Sequence, residues 1–93
     1  MITLEESVRL CSQVEEAIAR KLSRRYRQRS LSVIARPAVG TSSIRAVVIL
    51  VTQDRIIELA SACTPAIQTE DAADRLYKRM IPLVSENLRH YQV

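Results

Sequence analysis

Arg20, Lys21, Arg24, Arg25, Arg27 and Arg29 gather six of the chain's fourteen Lys and Arg side chains into ten residues, with no acid among them. The rest of the 93-residue sequence carries eight cations against ten acids, so the formal charge of +4 originates in this one segment. A basic focus on a near-neutral body attracts phosphate groups or an acidic protein surface. Cations near a helix C-terminus also complement its dipole, at about 0.3–1 kcal/mol each, but one or two satisfy that role. Six exceed it. The excess points to an anionic partner, with Tyr26 as an added contact residue inside the cluster.

Other residue types that could do chemistry are sparse. His90 is the only histidine and Gly40 the only glycine, and no phosphate-cradling glycine loop, nucleophile elbow or paired-cysteine metal motif occurs. Asp54 and Glu58 near a turn are ordinary in a chain that is 26% charged. Cys11 and Cys63 each fall among apolar neighbours, where a reduced thiol acts as a small hydrophobe, so two buried free thiols are expected. No catalytic residue, metal site, cofactor or small-molecule substrate is expected. With three Tyr and neither Phe nor Trp, a stacking platform for single-stranded nucleic acid is also poorly supplied.

The elements that would position the cations follow from hydrophobic period. Thr3 and Glu6 form a capping box, and Leu4, Val8, Cys11, Val14, Ile18, Leu22 and Tyr26 make one stripe of a helix over about residues 3–27. Glu5 with Arg9 and Glu16 with Arg20 are i,i+4 pairs on its other side. On this wheel Arg20, Arg24 and Arg27 share a flank, whereas Arg25 and Arg29 drift toward the apolar side. From Ser30 to Ala38 the period changes to two: Leu31, Val33 and Ala35 alternate with Ser32, Ile34 and Arg36. Pro37 ends this strand or marks it as an edge. Gly40 and its small hydroxyl neighbours form a turn. Ile44 to Thr52 follows as a central strand, with the run from Ala46 to Val51 apolar on both faces.

Residues 55–63 allow two readings. A strand alternates Ile57, Leu59 and Ser61 against Ile56, Glu58 and Ala60. A short helix capped by Asp54 would bury Ile56, Ile57, Ala60 and Cys63. The strand is favoured because a third strand widens the sheet, and Thr64-Pro65 should break either one. Thr69 then caps a last helix whose apolar face is Ala73, Leu76, Tyr77, Met80, Leu83, Val84, Leu88 and Tyr91, with Pro82 opposite. Asp71 with Arg75 and Asp74 with Lys78 pair along its solvent side.

The expected fold class is a single α+β domain over residues 1–93. It is a two-layer sandwich, α-β-β-β-α or α-β-β-α-α, with two amphipathic helices on one face of a small antiparallel sheet. The double-stranded-RNA-binding domain shares the first order, but here the last helix opens with Thr69-Glu70-Asp71-Ala72-Ala73-Asp74, acidic where that family is basic, so no membership is read. If Val48 and Leu50 face the helices, then Val47, Ile49 and Val51, with Ile34, face away. That leaves an apolar face suited to a second copy.

Two functional expectations follow. One is a non-enzymatic interaction module (an adaptor, regulator or inhibitor), homodimeric through Ile34, Val47, Ile49 and Val51, with the basic segment turned to an acidic partner. The other is a DNA- or RNA-backbone binder using the same cations. The N-terminal residues lack a secretory pattern and no apolar run approaches the ~18 residues of a membrane span, so the cytoplasm and no membrane contact are the expectation.

Overall fold

The computed structural model describes residues 4–27, 30–38, 43–65 and 69–90. They form helix α1 (Leu4–Arg25), strands β1 (Leu31–Pro37), β2 (Ser43–Val51) and β3 (Ile56–Pro65), and helix α2 (Thr69–His90). The strands make one antiparallel sheet in the order β1-β2-β3, with both helices packed on the same side. The α-β-β-β-α reading therefore holds, and residues 55–63 lie in strand, not helix. Thr3, Arg29, the Gly40 turn and Tyr91 fall outside the described residues, as do the side chains of Leu4 and Thr69.

The helices form where the apolar stripes said they would. Val14, Ile18 and Leu22 of α1 meet Leu76, Met80, Val84 and Leu88 of α2 over Val33, Ala35, Ala46 and Val48 of the sheet, all buried. Each fully buried Leu, Ile or Val side chain is worth about 1.5–3 kcal/mol of transfer free energy. The stripes are narrower than their periodicity suggested. Val8 is 54% exposed and Leu83 44%, each at the margin of its helix's buried arc. Pro82 is exposed within α2, which continues past it to His90.

Strand β3 holds the main departure from simple alternation. Ile49 pairs with Glu58 but Val48 pairs with Ala60, so Leu59 is an extra residue, a β-bulge. The bulge flips the phase. Ile57 and Leu59 face the helices before it, and Ala60, Ala62 and Thr64 face them after it. Ser61, expected beside Leu59, therefore turns outward. Asn87 Nδ2 of α2 donates to the carbonyl of the bulged Leu59 at 2.6 Å, satisfying a group displaced from the regular ladder.

Thr64-Pro65 does not break β3, which runs through Pro65 at a sheet edge where a missing N–H is tolerated. Thr64 is 2% exposed, and its hydroxyl has no hydrogen-bond partner among the described residues.

Each sheet edge is capped at one or two points by side chains from the helix above it. On β1, Glu15 Oε2 accepts from the Ala35 amide at 2.9 Å, and Pro37 has no amide to offer. On β3, Arg79 Nη1 donates to the Cys63 carbonyl at 2.7 Å, beside the Asn87 bond. Blocked edges disfavour strand addition from another chain. The broad face of the sheet is a different matter.

Candidate functional site

The face of the sheet turned away from both helices is ordered in cross-strand rows. From the end nearest the α1 C-terminus these are Val51–Ile56, Ser32–Ile49–Glu58, Ile34–Val47–Ser61, Arg36–Arg45–Cys63 and Ser43–Pro65. Ile34 is 39% exposed, Val51 41% and Ile56 67%, while Val47 and Ile49 are half-buried by their neighbours within the sheet. All four residues expected on this face lie there, because a period of two along β1 and β2 leaves no other option once Val48 and Leu50 point inward. Ile56 joins them. Its exposure follows from its pairing with Val51, which becomes visible only once the β2–β3 register is known.

Toward the other end of the face, Ile34, Arg36, Pro37, Ala38, Arg45 and Val47 line an open groove of about 430 Å³. Arg36 and Arg45 stand directly opposite one another across β1 and β2, and like charges so placed repel. Arg36 is partly neutralised: its Nη1 lies 3.2 Å from Glu15 Oε2 and also donates to the Ala35 carbonyl at 2.8 Å. Among the described residues neither Arg45 nor Glu58 makes an ion pair. The sequence marks Glu58 only as an ordinary acid near a turn and Arg45 not at all, since single charges on a strand carry no signal until register sets them on one face.

The basic segment does not act as one unit. Arg20, Arg24, Arg25 and Arg27 are exposed, but Lys21 turns inward to α2. Lys21 Nζ lies 3.2 Å from Asp74 Oδ1 and 5.6 Å from the centre of the Tyr77 ring, and Lys78 approaches Asp74 Oδ2 at 3.5 Å. The hydrogen bond from Lys21 and the charge of Lys78 hold the Asp74 carboxyl below its ordinary pKa. Arg25 does not enter the apolar side. Its Nε donates to the Tyr26 hydroxyl at 3.2 Å, and this bond raises the guanidinium pKa further.

The Tyr26 hydroxyl also sits 2.6 Å from Ser85 Oγ of α2, so Tyr26 clamps the helices together. Its amide still donates to the Leu22 carbonyl at 2.8 Å, closing the last turn of α1. The sequence-predicted set thus divides. Lys21 and Tyr26 are engaged in helix–helix contact, and Arg20, Arg24, Arg25 and Arg27 present charge to solvent. The last turn of each helix carries basic residues, Arg24 and Arg25 on α1 and Arg89 and His90 on α2, at the negative end of its dipole.

The two cysteines also part ways. Cys11 is buried in the core, and burial pushes its thiol pKa up, with the Arg36 cation opposing and the Glu15 carboxylate adding. Cys63, expected to be buried, is exposed, because the Leu59 bulge sets it on the outer face beside Arg45. Among the described residues no three His, Cys, Asp or Glu side chains gather as a metal site, and no helix is long and apolar enough to cross a membrane. No protein-family model, curated protein or solved structure matches the chain.

Proposed function

We propose that this chain is a non-enzymatic interaction module, an adaptor, regulator or inhibitor, that self-associates through the outer face of its sheet. On this reading Ile34, Val47, Ile49, Val51 and Ile56 form the contact surface, and the exposed arginines of α1 are offered to an acidic partner. The observation that carries it is the apolar stripe itself: five large aliphatic side chains on a sheet face that neither helix covers. Exposed apolar patches of this kind mark interaction surfaces. The blocked edges favour association through the face over strand addition. Sedimentation velocity from about 1 μM to about 1 mM tests it, spanning affinities of weak to moderate complexes. A rise toward twice the 10.5 kDa chain mass, abolished by Ile49→Asp, supports the reading. A monomer throughout refutes it.

Nucleic-acid binding is the second reading, favoured by the exposure of Arg24, Arg25 and Arg27 at one helix end. Three to four phosphate contacts give a log–log salt slope of about −3. A slope of that size on mixed DNA or RNA, lost on changing the three arginines to Glu, selects this reading. No binding at low salt leaves the acidic protein partner.

A further inference from the structure

Resting on self-association through the outer face, we infer how the second copy is seated. Its sheet stacks face to face about a two-fold axis running across the strands through the Ile34–Val47–Ser61 row, and Arg45 of each copy pairs with Glu58 of the other. Two observations carry this: the order of the rows, and two charged side chains on one face with no ion pair among the described residues.

In the aligned class of sheet packing, a two-fold stack has its axis either along the strands or across them. With the axis along β2, every row lies over its own copy, so Arg45 meets Arg45 of the partner subunit and the like-charge opposition already present with Arg36 is doubled. With the axis across the strands, the fourth row lies over the second. Arg45 then falls above Ile49 of the partner subunit, one strand from its Glu58. At a sheet separation of about 10 Å and a strand spacing of about 4.8 Å, the two side chains reach each other.

Among axes across the strands, the one through the third of the five rows gives the fullest overlap, because that row is the middle one. Val47 meets Val47 of the partner subunit, and the open groove beside Arg45 receives the partner's aliphatic side chains. Isologous symmetry makes the ion pair twice.

The footprint sets the strength. Strands of 7, 9 and 10 residues give a flat face of about 14 Å by 30 Å. That is roughly 400 Å² per copy, about half of a standard interface. The dimer is accordingly a weak and reversible one.

The test uses charge reversal at two exposed positions, with circular dichroism and the thermal midpoint confirming that each variant stays folded. Arg45→Glu alone and Glu58→Arg alone each weaken self-association at least about tenfold, because each sets like charges opposite one another twice. Mixing the two single variants restores association, since the heterodimer then carries two attractive pairs. Two self-weak variants that associate when mixed bear the geometry out. A wild-type dimer indifferent to either reversal, or variants that fail to associate on mixing, overturn the stacking while self-association stands. A monomeric wild type removes the reading on which the inference rests.

Discussion

Adjacent residues of β2 should answer the same substitution in opposite ways. Val48 is fully buried against both helices, and Val47 faces out. Val48→Ala deletes the equivalent of two methylenes, about 1.6 kcal/mol of transfer free energy. The cavity left in a core that relaxes only partly brings the cost to about 2–3 kcal/mol. Val47→Ala forfeits little burial within one chain and should cost below about 1 kcal/mol, mostly through strand preference. Urea unfolding followed by circular dichroism at submicromolar protein, where mass action removes any contribution from a weak dimer, measures both. For a domain of this size Val48→Ala should lower the midpoint by about 1–2 M and Val47→Ala by much less. Equal losses at the two positions would refute the reasoning, because they would mean that the same chain shields both faces of β2.

Three further outcomes follow. Thr64→Val should stabilise the fold by about 1 kcal/mol, since it removes a buried hydroxyl that finds no partner among the described residues and keeps the side-chain shape; a thermal midpoint that falls contradicts this. A chromogenic disulfide reagent should titrate one thiol, Cys63, in the native protein and reach Cys11 only on unfolding; two fast thiols, or none, would be inconsistent with the bulge geometry. Asp74 has a depressed pKa in the folded state, so its contribution is present above the unfolded value of about 3.9 and is lost as pH falls through the lower folded one. The stability difference between wild type and Asp74→Asn should therefore shrink as pH drops below about 4; a difference that persists to pH 2 would mean that ionisation at this site is irrelevant.

The fold was legible where a single periodicity ran undisturbed. The α1 stripe from Cys11 to Leu22, the alternation of Leu31 to Arg36 and the doubly apolar run of β2 each admit one structure, and each formed it. Beyond Leu59 the sequence misled. A bulge adds one residue to a strand, carries no composition signal of its own and reverses every later side chain, which is why Ser61 and Cys63 changed faces. The basic segment was legible as a cluster but not as a surface. What removed Lys21 and Tyr26 from it was Asp74 and Ser85, more than fifty residues away in sequence. Arg45 was silent for the same reason, and Ile56 and Glu58, legible as one side of a strand, could not be set beside Val51 and Ile49 before the strand register was known.

The association surface is tested most directly by isotope-filtered methyl NMR on a mixed sample of labelled and unlabelled chains near about 1 mM, where weak dimers are populated. Intermolecular contacts among the methyl groups of Ile34, Val47 and Ile49 are the predicted result. Contacts confined to the exposed helix residues Val8 and Leu83, or none at all, would contradict it.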